Sequence, residues 1–353
     1  MSESSGTASK KQSGFLKTQN QQIMANPSST TFSILMPAYN AAAYLADAVA
    51  SVQGQTFTDW ELLILDDASS DETAEIAKVL AATDVRIRYH RLGEPLRKPA
   101  SVRNAGLAMA KGQYVAFLDA DDLYLPNTLA LFKAHFEKNP SHRAVYGQYV
   151  EMDAAGNITA DGYVCYPILP TWKSILTTKT HHQLQALALE KSLMLELGGF
   201  DERILFGEDW AFYLLLFQWL QSNLGMIKEP VFRYRLYANS ISRDAKRSRE
   251  VMLGMEDLCR WTANEAGVPP SERRFVSRFI AANYAYFFKI RCQQGQWDIL
   301  AEAALRSFFN LNLTTFDWLR CLWSVVKLKF FPALCKVDVS VGLEPLQAAP
   351  ATT

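Results

Sequence analysis

The chain has no cysteine pair at the spacing of a metal site or a disulfide framework. Its five cysteines, Cys165, Cys259, Cys292, Cys321 and Cys335, are scattered through 353 residues, and none belongs to a C-x-x-C pair. Neither a structural zinc site nor a disulfide scaffold is indicated, and a reducing cytoplasm is the simplest setting. Net charge is also missing, since 36 Lys and Arg balance 36 Asp and Glu. That balance removes the bulk electrostatic case for nucleic-acid binding, so no nucleic-acid partner is expected. Long apolar runs are absent as well. A membrane-spanning helix needs about 18 or more uninterrupted apolar residues. The nearest approach, Leu311 to Cys335, is broken by Asp317, Arg320, Lys327, Lys329 and Pro332. An integral membrane protein is therefore not expected. Residues 1–30 are rich in Ser, Gln, Lys, Asn and Thr without an apolar core segment, which predicts a disordered tail and not a signal peptide. No internal repeat is present.

What the chain does have is alternation. Short apolar runs predict strands at Phe32–Met36, Trp60–Leu65, Val85–His90 and Tyr114–Leu118. Helical patterns lie between them at Ala42–Gln53, Thr73–Leu80 and Pro99–Ala110. Strand and helix in turn imply an α/β fold with a mostly parallel sheet flanked by helices, and ligands in such sheets bind beyond the carboxyl ends of the strands. A helix is expected at Leu129–Lys138, a strand at Ala144–Val150, and a hairpin turn through Asp153–Asn157. Gly162–Thr180 contains Pro167 and Pro170 and reads as a surface loop; a mixed segment, Gln183–Glu196, follows, then a helix from Glu208 to about Gln221. Beyond residue 242 the character turns helical, at Arg243–Ala266, Ser271–Cys292, Trp297–Phe309 and Thr314–Phe331.

The polar clusters follow strands. Pro37-Ala38-Tyr39-Asn40 ends the first, Asp66-Asp67-Ala68-Ser69 the second, and Asp119-Ala120-Asp121-Asp122 the fourth. An apolar strand delivering three carboxylates to one end suits a hard divalent cation, which takes oxygen ligands and completes its shell with water and phosphates. The same acids also suit the cap of a following helix, and Asp122 fits that role best. Glu208-Asp209 is equally open from residue type alone, because acids favour a helix N-terminus.

The order of these motifs resembles the family 2 glycosyltransferases, inverting enzymes with the GT-A fold. The matching residues are Ile34 to Asn40, Gln55-Thr56-Phe57 with Trp60-Glu61-Leu62, Leu65 to Asp71, Arg103-Asn104-Ala105-Gly106, Ala110 to Asp122, Gly198-Gly199-Phe200-Asp201-Glu202, and Glu208-Asp209-Trp210. They cover about Phe32 to Ser242. The resemblance implies a catalytic domain over 31–242, with a donor-binding half at 31–126 and an acceptor half at 127–242. A C-terminal helical extension over 243–335 and a flexible tail over 336–353 lie outside it.

The resemblance implies a role for each motif. Asp121 and Asp119 would hold Mn²⁺ or Mg²⁺, with Asp119 also reaching the ribose. Pro37, Tyr39, Asp66, Asp67 and Arg103 join Asp119 in binding the donor. Tyr39 offers either a stacking face for the base or a half-buried loop ring, and Asp66 and Asp67 offer either a base-edge acceptor or a helix cap. Asp209 is the expected general base, with Glu208 and Trp210 as secondary candidates beside it. Asp201 is expected to fix the turn after Gly199. Arg233 and Arg235, at period-two spacing on one face, either approach the diphosphate or form surface pairs. The chain departs from many relatives in two places: Leu96-Arg97-Lys98 is bulky and basic, and Tyr237 stands where a His is common. His181 and His182 read as surface residues.

The implied activity is transfer of a sugar from a nucleoside diphosphate sugar, with UDP favoured, to a hydroxyl of a glycan or lipid-linked acceptor. A nucleotidyltransferase and a catalytically silent nucleotide-binding scaffold are the competing classes. Leu319, Leu322, Trp323, Val326 and Phe330 recur at helical spacing. That face suits packing on the catalytic domain or peripheral contact with a cytoplasmic membrane face.

Overall fold

The computed structural model describes residues 30–164, 183–220, 223–237 and 248–272, with isolated positions between 173 and 302. A nine-stranded sheet forms its centre. Three strands open the chain, β1 (Phe32–Ala38), β2 (Trp60–Asp66) and β3 (Ile87–Arg91), with helices α1 (Leu45–Gln53) and α2 (Thr73–Thr83) between them. Helix α3 (Pro99–Met109) then leads to β4 (Tyr114–Phe117). These four strands are parallel, in the spatial order β3-β2-β1-β4. Every residue of β2 is buried, as expected for a parallel strand covered by helices on both faces.

The second half of the sheet is mixed. It contains β5 (Leu123–Tyr124), β6 (Ala144–Met152), β7 (Ile158–Val164), β8 (Leu187–Glu190) and β9 (Leu224–Arg235), with helices α4 (Thr128–Lys138), α5 (Lys191–Glu196) and α6 (Glu208–Leu220). β8 runs antiparallel to β4 and carries the sheet across into the second half. β6 pairs antiparallel with β7 and β8 but parallel with β9, so the parallel arrangement is confined mainly to the first half. The α/β class stands. The expected hairpin also forms, since Asp153 to Asn157 turns β6 into β7 with Gly156 at φ 90°. Gly162–Val164, expected in a loop, instead ends β7.

Helix α3 sits unusually close to the sheet. A Cβ on Gly106 would lie 2.4 Å from Leu65 Cδ1 and 3.2 Å from Leu35 Cδ2, so any larger residue would have to displace the Leu65 side chain to keep this seat against β1 and β2. Pro99 at the first turn presets the helical φ where no N–H partner is needed.

The last described helix, α7 (Ser248–Asn264), buries Val251, Met252, Met255 and Leu258 against Ala211 and Leu214 of α6. The expected helices Ser271–Cys292, Trp297–Phe309 and Thr314–Phe331, including the face with Trp323, fall largely or wholly outside the described residues. His181, His182 and most of the Gly162–Thr180 segment do so as well. Among the described residues no helix is long and apolar enough to cross a membrane.

Candidate active site

Parallel pairing brings the ends of β1, β2 and β4 together. Ala38 lies opposite Asp66, and Leu35 lies opposite Phe117, two residues before Asp119. The loops that follow β1 and β2 are then locked to each other by side chains. The Asn40 N–H donates to Ser69 Oγ (2.9 Å), and Asn40 Oδ1 accepts from the Ser70 N–H (2.9 Å). The Ala41 N–H donates to Thr73 Oγ1 (2.8 Å), and the Ala42 N–H to Asp71 Oδ2 (3.1 Å). Asn40 and Ala68 adopt left-handed φ values of 50° and 55° within this lock. Pro37 precedes it on β1, and Tyr39 projects from it with 48% of its surface exposed.

The two strand-end carboxylates of β2 are engaged by the chain itself. Asp66 is fully buried; its Oδ1 accepts from the Ser69 N–H (2.8 Å), and its Oδ2 accepts from Tyr89 Oη–H (2.7 Å) and Arg91 (3.2 Å). Asp66, one of the residues expected at the donor, thus anchors the loop from below. Asp67 accepts from the N–H groups of Leu96 (2.6 Å) and Arg97 (2.8 Å). It therefore fixes the basic loop before α3, with Arg97 at φ 51°.

Arg103 is the centre of the site. It projects from α3, is nearly buried, and donates from Nη1 to Glu208 Oε1 (2.6 Å) and from Nη2 to Asp119 Oδ1 (2.9 Å). Burial works against its charge, yet the Asp119 and Glu208 carboxylates outweigh this and raise the guanidinium further above its ordinary value. Both of these donors are thus engaged within the protein, so Arg103 joins the acid motif after β4 to the acid pair that opens α6. The residue expected to help hold the donor makes that bridge in this geometry. The neighbouring Asn104 holds the other acceptor-side motif. Its Oδ1 accepts from the Phe200 N–H (2.9 Å), and its Nδ2 donates to Phe200 O (2.9 Å) and Glu202 Oε1 (2.8 Å). Gly199 has φ 73°, and a Cβ there would meet Asn104 Oδ1 at 2.6 Å. Asp201 fixes the turn as expected, accepting from the Arg203 N–H (3.0 Å). A cavity of about 520 Å³ lined by Asn104, Phe200, Glu202 and Trp261 lies against this loop, without Asp119, Asp121 or Asp209 in its wall.

Asp209 starts α6 beside Glu208 and is partly exposed, with Oδ1 accepting from the Trp210 N–H (2.8 Å). Burial and the Glu208 charge push its carboxyl up to about 7, against the pull of Arg103. A carboxylate of that basicity can take a proton near neutral pH. Trp210 packs its ring on Phe279 (5.7 Å), away from an exposed role.

The three acids after β4 do not act alike. Asp121 Oδ2 accepts from Tyr237 Oη–H (2.7 Å), while burial and the Asp119 charge raise its carboxyl. Asp122 neither caps α4, whose N-cap is Asn127, nor joins a cation cluster. It is 1% exposed, with Oδ1 accepting from the Arg235 N–H (2.8 Å) and Oδ2 from Gln185 Nε2 (2.7 Å). Among the described residues, no three His, Cys, Asp or Glu side chains form a metal-capable group. Arg235 is buried too, donating from Nε to Asp121 O (2.7 Å) and from Nη1 to Ala154 O (2.8 Å), with its guanidinium over Tyr44 (4.6 Å). It clamps the acid turn from within. Arg233 lies on β9 opposite Leu123, half-buried. Gln185 and Tyr237 are the contacts the motifs did not disclose. A lone amide in the apolar run Leu184–Leu189 was the signal for the first.

Comparison with known proteins agrees with this geometry. Residues 33–186 match the model of glycosyl transferase family 2. The UDP-Glc:alpha-D-GlcNAc-diphosphoundecaprenol beta-1,3-glucosyltransferase WfgD of Escherichia coli is 31% identical over 226 residues, 62% of this chain and 84% of WfgD. The chain belongs to glycosyl transferase family 2. It is therefore a glycosyltransferase. A chondroitin synthase of Escherichia coli is 32% identical over 184 residues, 52% of this chain but only 26% of that larger protein. Two solved structures share the fold. S. aureus TarS 1-349 in complex with UDP-GlcNAc has a TM-score of 0.56 at 17% identity, covering 84% of this chain and 81% of that one. The mannosyltransferase PcManGT from Pyrobaculum calidifontis, in complex with GDP-Man and Mn²⁺, has a TM-score of 0.50 at 18% identity, with 90% and 94% coverage.

Proposed function

We propose that this glycosyltransferase moves a sugar from a UDP-sugar to a hydroxyl of a glycan or lipid-linked acceptor, with inversion and in a single displacement. The observation that carries the reading is the Arg103 bridge, which holds Asp119 and the Glu208-Asp209 pair around one guanidinium. Asp209 takes the proton of the acceptor hydroxyl as its oxygen attacks the anomeric carbon opposite the departing diphosphate. Arg103 holds Glu208 and Asp119 in place during that step. Tyr39, half-exposed on the rigid loop pair, offers its ring face to the base, and Asp67 holds the Leu96–Arg97 segment beside it. The names of WfgD and of the TarS complex carry UDP, which favours uridine, and that of WfgD carries a diphosphoundecaprenol acceptor.

The donor set fits Mn²⁺ or Mg²⁺. Burial, and then the neighbouring Asp119 charge, raise the Asp121 carboxyl, and such cations need only one or two carboxylates when substrate phosphates complete the shell. Asp121 and Asp119 would hold the ion, which when bound neutralises the charge of the leaving diphosphate. The test is nucleoside diphosphate release from a panel of nucleotide sugars with Mn²⁺ and an undecaprenyl-diphosphate-linked acceptor. Release dependent on acceptor and on Asp209 supports the reading; absence of binding to every donor rejects it.

A further inference from the structure

We infer that Gln185 is a positioning residue for donor binding, its side-chain amide splinting Asp119, which meets the diphosphate and its cation, to the buried Asp122. This rests on the donor-binding reading above. Gln185 lies in the short turn Leu184–Ala186 ahead of β8 and is 3% exposed. Its Nε2 donates to Asp119 Oδ2 at 2.8 Å and to Asp122 Oδ2 at 2.7 Å. An amide NH₂ has two hydrogens, so both are spent on carboxylates. Asp122 in turn accepts from the Arg235 backbone N–H through Oδ1. Asp119 is therefore gripped on one oxygen by the Arg103 guanidinium and on the other by an amide that is itself tied through Asp122 to β9.

The chemistry explains why an amide stands there. Lysine or arginine would bring a second cation against the pair and oppose a divalent ion. Glutamate would add a like charge, and serine or threonine has one hydrogen to donate. Glutamine holds two carboxylates at once and leaves the charge they present unchanged. Groups that orient metal-binding carboxylates from behind typically control ion affinity by 10- to 100-fold. An apolar replacement would also leave Asp122 Oδ2 buried without that donor.

The test compares wild type with Gln185→Met by electron paramagnetic resonance titration of Mn²⁺, alone and with UDP or GDP. Thermal unfolding and donor KM and kcat are read on the same samples. The expected result is a folded variant whose Mn²⁺ and Mn²⁺–nucleotide dissociation constants rise roughly 10-fold, with donor KM rising more than kcat falls. A residue needed only for packing would lower the melting temperature and leave the affinity of the folded protein unchanged. Gln185→Asn, too short to reach both acids, is expected between wild type and Gln185→Met, and it carries the same test if the Met variant does not fold. A folded variant with wild-type Mn²⁺ affinity and wild-type donor KM overturns the role of Gln185 alone. Wild type that binds neither Mn²⁺ nor either nucleotide overturns the donor-binding reading with it.

Discussion

Replacing Asp209 by asparagine should separate its role in chemistry from its cost to the fold. The folded-state carboxyl is raised from 3.8 to about 7, first by burial and then by Glu208. A raised group favours folding fully below its unfolded value, and that contribution is lost as pH rises through the folded value. Ionised Asp209 thus works against the fold above pH 7, by about 4 kcal/mol at most if each pH unit counts 1.36 kcal/mol. Its partial exposure reduces this to about 2 kcal/mol. Asp209→Asn is uncharged and should be more stable than wild type at pH 8, by roughly 4 °C in melting temperature. The gap should shrink steadily below pH 7 and vanish near pH 4. In the same variant, acceptor-dependent nucleoside diphosphate release should fall by roughly 10²- to 10⁴-fold, the usual contribution of a general base. Wild-type kcat/KM should rise with pH up to about 7 and then level. Melting curves across pH 4 to 8, with release assays at each pH, read both halves. Release at the wild-type rate in Asp209→Asn would refute the base, and a stability gap independent of pH would refute the raised carboxyl.

Arg103→Met removes the cation between two acids and leaves Glu208 buried without its partner, so chemical denaturation should report a loss of about 3–5 kcal/mol. Arg103→Lys should recover only part of it, because a single ammonium cannot reproduce two separate guanidinium contacts. Ala68→Gly should stabilise by up to about 1 kcal/mol in urea unfolding, since the native φ of 55° strains alanine more than the flexibility of glycine costs in the unfolded chain. Tyr237→Phe deletes the hydroxyl that donates to Asp121 and should weaken Mn²⁺ binding by roughly 10-fold in the same titration used for Gln185, with little change in melting temperature.

How much of this was legible depended on whether a residue announces its surroundings. β1, β2 and β4 read directly because strands covered on both faces are continuous apolar runs. β5, with two residues, and β8, with four, are too short to show a period, and the exposed Lys228-Glu229 interrupts β9 midway. The order of motifs pointed to Asp119 and Asp209 because their chemistry sits at strand and helix ends. It left Asp66 open between a base-edge acceptor and a cap, because a strand-end carboxylate looks the same whether it faces a ligand or braces a loop from beneath. Asp122 was left open between the acid cluster and a cap, because its partners Gln185 and Arg235 come from segments more than sixty residues away. Tyr237 was noticed only as the lack of a histidine. Its hydroxyl reaches Asp121 through the path of β9, which no local spacing encodes.

Consecutive residues on one helix, Arg103 and Asn104, grip the Glu208 and Phe200 segments, and Gly106 seats that helix directly on β1 and β2. Segments joined this way are not modular. A chimera that fused residues 31–126 to the acceptor region of another family member would inherit a working cleft only if the incoming segment brought a glutamate to face the guanidinium. It would also need a glycine in the left-handed turn beneath the asparagine. Loop swaps confined to surfaces away from that one helical turn leave the shared hinge of the two halves untouched.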